Sequence, residues 1–173
     1  DLNCSELMLA ELECGETRRL AGTPQRWLAA PTWSPDGRLI AFVWERPGFH
    51  ELFVVDPQSG EARQLTHLGQ DVSGLTWSAD GSQILCTVNR GGALDLASVV
   101  VESGQVSVLR RLEGVHSLPR AHPDGRSVIF SFENSTHPAD IFRMDIGSGH
   151  TQQLTFSSPP ALCRLPLVEP ERV

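Results

Sequence analysis

Short apolar runs bounded by polar turns dominate the pattern of this chain. Leu39 to Trp44, Ile84 to Val88 and Val128 to Phe132 each follow an Asp-Gly pair. Rich in β-branched and aromatic residues and only a few residues long, they fit strands buried between neighbouring sheets. A further strand is expected at Leu52 to Val55, Leu96 to Val100 and Ile141 to Met144, each running into a Ser-Gly turn. An outermost strand follows at Ala62 to Leu65, Val106 to Leu109 and Thr151 to Leu154. Asp-Gly is a strong hairpin signal because Gly accepts positive φ without steric cost. The strand ahead of it is expected to start at Trp33 or Trp77. No stretch sustains a helical period, so the expected class is all-β.

The pattern repeats. Trp33-Ser-Pro-Asp-Gly-Arg-Leu-Ile-Ala-Phe42 returns as Trp77-Ser-Ala-Asp-Gly-Ser-Gln-Ile-Leu-Cys86 and as Ala121-His-Pro-Asp-Gly-Arg-Ser-Val-Ile-Phe130. The turn aspartates Asp36, Asp80 and Asp124 are therefore 44 residues apart (80 − 36 and 124 − 80). Gly60, Gly104 and Gly149 step by 44 and 45 (104 − 60 and 149 − 104), and counting back 45 from Gly60 reaches Gly15. Glu6 to Leu20 overlays Glu51 to Leu65, so the chain opens inside a repeat. A period near 44 carrying four short strands is the mark of propeller blades. The expected architecture is a partial β-propeller of three complete four-stranded blades plus two outer strands of a preceding one. Its units are 1–20, 21–66, 67–112 and 113–156, with an exit segment at 157–173. Each aspartate is expected to build its turn, because Asp can bond its own turn backbone.

Composition limits the chemistry. A net charge of −7 without a basic stripe argues against nucleic acid as a partner. No apolar run approaches membrane-spanning length and no signal peptide opens the chain. The first residue is not Met, and the chain reads as a fragment. Cys4, Cys14, Cys86 and Cys163 form no CxxC pair and have no His at zinc spacing. Cys86 is expected in a buried strand. His50, His67, His116, His122, His137 and His150 fall at predicted loops, turns or strand ends, where lone histidines are solvated. No metal ligand and no cofactor is assigned. Gly-x-Ser-x-Gly, the nucleophile elbow of an α/β-hydrolase, is absent from the 173 residues. No catalytic residue is assigned either, and Asn3-Cys-Ser and Asn134-Ser-Thr read as chance matches to the glycosylation sequon.

The repeat Trp-Ser-Pro-Asp-Gly-Arg-Leu-Ile-Ala-Phe, followed by Glu-Leu-Phe-Val-Val-Asp, Ser-Gly-Glu and Gln-Leu-Thr, resembles the WD40-like propeller repeat of two groups. One is the TolB-type propeller. The other is the non-catalytic propeller of prolyl-oligopeptidase-type serine peptidases, including acylaminoacyl and dipeptidyl peptidases. The tail from Pro159 to Val173 is similar to the segment by which such peptidases enter their hydrolase domain. The resemblance implies a propeller that gates peptide access to a hydrolase domain. Its alternative is a TolB-like module that binds proteins without catalysis. A cytoplasmic bacterial location goes with the first and a periplasmic one with the second.

Function on a propeller belongs to its connections, since a rigid scaffold positions them. The loops between second and third strands vary most: Trp44 to His50, Val88 to Ala93 and Phe132 to Pro138. Glu45, Arg46, Arg90 and Glu133 lie there and are candidate contacts to a peptide terminus or to the hydrolase domain. A carboxylate can pair with an amino terminus and an arginine with a carboxylate; ordinary solvated charge is the alternative. An incomplete ring exposes apolar faces and strand edges. Two copies of roughly three and a half blades could close a ring of about seven, so a homodimer, or pairing with the missing half of the propeller, is expected.

Overall fold

The computed structural model describes residues 5–23 and 26–159. The exit segment beyond 159, Cys4, Cys163 and the Asn3 sequon lie outside them. Among the described residues there are fourteen strands and no helix. A two-stranded sheet comes first, β1 (Leu7–Ala10) and β2 (Thr17–Ala21). Blade 1 follows, with β3 (Leu28–Trp33), β4 (Ile40–Arg46), β5 (Phe49–Val55) and β6 (Ala62–Gln64) in sequential antiparallel order. Blade 2 holds β7 (Val72–Trp77), β8 (Gln83–Arg90), β9 (Ala93–Val100) and β10 (Val106–Arg110). Blade 3 holds β11 (Val115–Ala121), β12 (Ser127–Asn134), β13 (His137–Asp145) and β14 (Thr151–Gln153). Blades 2 and 3 are linked into one sheet by a single parallel pairing, Val115 with Leu94.

The apolar runs of blades 1 and 2 are buried because each of these blades is covered on both sides, whereas blade 3 is covered on one. Alternate residues of β4 and β5 face opposite ways. Phe42, Trp44, Phe53 and Val55 cluster with Leu7 and Leu20 of the first sheet. Ala41, Val43, Leu52 and Val54 cluster with Val72, Trp77, Cys86 and Val99 of blade 2. Leu85 and Leu96 then meet Val128, Phe130 and Met144 of blade 3. Burial on both faces explains the continuous rather than alternating hydrophobic runs.

Polar ties join the blades at repeated positions. Arg18 donates to the carbonyl of Pro57, and Arg63, 45 residues later, donates to that of Val101 at 2.6 Å. Near the axis Trp77 Nε1 donates to the Thr32 carbonyl at 3.0 Å. Two faces remain open. Trp33, the counterpart of Trp77, is 50% exposed where Trp77 is 6% exposed. Ile141 and Leu154 of blade 3 are 37% and 43% exposed, whereas their counterparts Leu52 and Leu65 are buried.

The turn aspartates do what their repetition implies. Asp36 Oδ1 accepts from Ser34 Oγ and the Arg38 amide, and Asp80 accepts from Ser78 Oγ and the Ser82 amide. Asp124 accepts from the amides of Arg126 and Ser127. These bonds hold all three carboxyls below their ordinary pKa; the leading donors are Ser34, Ser78 and the Arg126 amide respectively.

Three expectations need correction. The inner strands end at Trp33 and Trp77 rather than starting there. A bulge explains the error: Ala30, Gly74 and Leu118, each 44 residues apart, all have positive φ, and pairing slips around them. The slip breaks the period-two pattern by which a strand is read. Second, the segments between second and third strands are hairpins closed by Pro47-Gly48, Gly91-Gly92 and Ser135-Thr136, the third with a bulge that leaves Glu133, Pro138 and Ala139 unpaired. Third, His116 is buried, not solvated: its Nδ1 donates to the Leu94 carbonyl at 2.6 Å beside Phe132 and Phe130. Cys86 is buried and unpaired, as expected, and burial pushes its thiol up to about 12.

Candidate functional site

Antiparallel order places the three hairpins β4–β5, β8–β9 and β12–β13 at one end of the blades, together with the links that enter β3, β7 and β11. The Asp-Gly turns lie at the other end. The two sets are tied: Asp71, just before β7, accepts from the amide of His50 at 2.9 Å and lies 2.8 Å from its Nδ1. Trp27, just before β3, meets the His50 ring edge-on at 4.8 Å.

Of the candidate residues, Glu45 and Arg46 are neighbours at the end of β4, Arg90 ends β8 and Glu133 lies near the end of β12. Among the described residues no hydrogen bond or ion pair joins any of the four to another. The Glu45 carboxylate accepts from the Trp27 amide at 3.0 Å. Arg46 sits over aromatic rings, its guanidinium carbon 4.3 Å from the Trp44 centroid and 4.8 Å from that of Phe53. Burial, and then the charge of Arg26, lower its pKa. Arg90 bridges Asp95 and Glu113, and Glu113 foremost raises its pKa. Glu133 is exposed.

A set of carboxylates passed over in the sequence organises this end. Glu6, Glu51, Asp95 and Asp140 stand at one point of successive repeats. Glu51 accepts from Thr66 Oγ1 and the Gly69 amide, and Asp140 from Thr155 Oγ1, the Ser157 amide and Gln153 Nε2. Glu6 pairs with Arg19 at 2.9 Å. In blade 2 the threonine position holds Arg110, and Asp95 instead receives Arg90 and Arg111 at 3.2 and 2.8 Å. In blades 1 to 3 the strap ties the exit of the outermost strand to the third strand. The signal was present in the overlay of Glu6 on Glu51. Among the described residues no group of three or more His, Cys, Asp or Glu could hold a metal ion.

The sequence profile of the TolB beta propeller domain (PD40) matches residues 2–161. The chain belongs to this family. Relatives of the TolB-type propeller lie on both sides of the two groups it resembles. It is 30% identical over 156 residues to the uncharacterized peptidase YuxL of Bacillus subtilis, covering 66% of the chain and 24% of that protein. It is 39% identical over 89 residues to the Tol-Pal system protein TolB of Hydrogenovibrio crunogenus, covering 51% of the chain and 20% of that protein. The chain thus spans about a quarter or less of either relative's length. Among solved structures, TolB from Acinetobacter baumannii superposes with a TM-score of 0.70 at 20% identity, over 89% of the chain and 38% of that one. A Mycobacterium tuberculosis puromycin-hydrolyzing peptidase gives 0.74 at 18% identity, over 88% and 24%. Both structures show the fold alone.

Proposed function

We propose that this TolB-type propeller is an accessory domain of a serine peptidase, with its hairpin end turned toward peptide and hydrolase domain. Arg46 supports the reading most: at the end of a hairpin it presents a cation that no carboxylate of the described chain neutralises. The similarity to YuxL, a peptidase by name, supports the enzyme class. Glu45, Arg90 and Glu133 would set the charge of the same end, in a cytoplasmic protein. Peptide affinity is expected to fall several-fold in Glu45→Ala and Glu133→Ala when followed by calorimetry. Unchanged affinity in both would remove the peptide-facing role.

The stretch of 39% identity to a Tol-Pal system protein favours a second reading, a periplasmic module that binds proteins without catalysis. Under either reading the exposed face of blade 3, with Ile141 and Leu154, and the exposed Trp33 at the other open face are surfaces for further blades. We propose that a second copy of the chain can supply them. Light scattering is expected to give twice the chain mass, and Ile141→Arg to reduce it to the monomer. A stable monomer of the unaltered chain would exclude the homodimer.

A further inference from the structure

We infer that Arg46, Arg26 and the indole of Trp44 form a receptor for a carboxylate, the C-terminal carboxylate of a peptide. This deepens the peptide-facing reading of the hairpin end and rests on it. Trp44 is 9% exposed and Arg46 half-buried, and among the described residues the buried Trp44 Nε1 and Arg46 Nε have no hydrogen-bond partner. The two residues are two apart on β4, so both project from the same face of the strand. A buried donor left unpaired is costly, and such groups are normally satisfied. Arg26 adds a second positive charge close to Arg46. Among the described residues its guanidinium donates to the Glu45 carbonyl, at 3.4 Å, while the Glu45 carboxylate is engaged by the Trp27 amide.

The neighbouring repeat shows what satisfies an arginine at this position. Arg90, 44 residues after Arg46, is held by Asp95 at 3.2 Å and Glu113 at 2.9 Å. Blade 1 has neither partner free. The counterpart of Asp95 is Glu51, committed to Thr66 and Gly69. The counterpart of Glu113, again 44 residues earlier, is Gly69 itself. Among the described residues, blade 1 therefore keeps the cation of a carboxylate pair without the carboxylate. Arginine binds carboxylates through parallel N–H donors, and the indole adds a third donor. The aromatic walls of Trp44 and Phe53 exclude water from one side, which favours a planar, weakly hydrated anion over phosphate.

The test uses the ¹⁵N-labelled chain, with the Trp44 indole resonance assigned through Trp44→Phe. N-acetyl-dialanine is titrated as the free acid and as its C-terminal amide, with inorganic phosphate as a third probe. The acid is expected to shift the Trp44 indole and Arg46 Nε–H resonances saturably, and the amide at least tenfold more weakly. Arg46→Gln is expected to weaken acid binding at least tenfold and Arg46→Lys or Arg26→Gln several-fold, while Arg38→Gln, at the opposite, Asp-Gly end, leaves it unchanged. Acid and amide binding alike, phosphate binding more tightly than the acid, or Arg46→Gln without effect would each overturn the receptor while leaving the peptide-facing end in place. Failure of acid and amide to move any resonance of the three hairpins would overturn both.

Discussion

A methyl group placed on Gly104 would lie 2.5 Å from the carbonyl oxygen of Leu65 in the preceding blade. At Gly60, the same point of the repeat before it, nothing lies within 4 Å. Gly104 and Gly60 have φ of 71° and 73°, and both amides donate back to the carbonyl four residues earlier at 2.8 Å. Alanine at Gly60 pays only the left-handed strain, about 1 kcal/mol, whereas at Gly104 it also collides with backbone. Urea denaturation is expected to show Gly104→Ala losing about 1–3 kcal/mol more than Gly60→Ala; equal losses would mean that the junction yields freely. Turn chemistry of this kind was legible in the sequence, because Asp36 and its counterparts bond within a few residues. The surroundings of Arg46 were not. Its lack of a partner depends on Glu51 being bound elsewhere and on Gly69 standing where blade 2 has Glu113, relations that only the folded repeat brings together.

Among the elements, the inner strands were the least legible. Ala30, Gly74 and Leu118 share a left-handed bulge but no side-chain type, so nothing local announces it. Only Gly74 adopts that conformation without strain. Ala30→Gly is expected to raise stability by about 0.5–1 kcal/mol. Gly74→Ala should lower it by at least as much, since its Cβ would press on Pro119 Cδ at 3.2 Å. Thermal unfolding of the two variants checks the pair, and a loss of stability in Ala30→Gly would argue against stored strain. The second and third strands of blades 1 and 2 are legible because burial on both faces forces continuous apolar runs. Their hairpins were misread as irregular loops because polar residues at strand ends look like loop residues when only composition is seen.

For the whole molecule, the link between blades 2 and 3 carries a pH dependence. His116 is buried there, and burial holds its pKa below the ordinary value despite the Leu94 carbonyl, which acts in the opposite direction. The unfolded chain therefore binds the His116 proton more readily than the native one. The stability involved is fully present above the unfolded value of about 6.5 and is lost as pH falls through the depressed native value. The urea midpoint is expected to drop between pH 7 and pH 5, and His116→Leu to flatten that part of the profile. An unchanged slope in the variant would assign the drop to other groups. The turn aspartates, with lowered values of their own, act in a separate window below about pH 4. The array itself was legible from the 44-residue spacing. The contrast between blade 1's aromatic face, Phe42, Trp44 and Phe53, and the one between blades 1 and 2, aliphatic but for Trp77, is visible only once strand register assigns each residue a side.

Blades 2 and 3 share one parallel pairing, while within each blade the strands are zipped along their length. Drawn apart by its two ends, as between the bead and tip of a force microscope, such a chain meets its weakest seam between sheets and its strongest resistance inside them. It should therefore lengthen in discrete jumps, one repeat at a time. Each jump would release up to about 150 Å of contour for 44 residues, a sawtooth trace whose spacing repeats the interval between Asp36, Asp80 and Asp124.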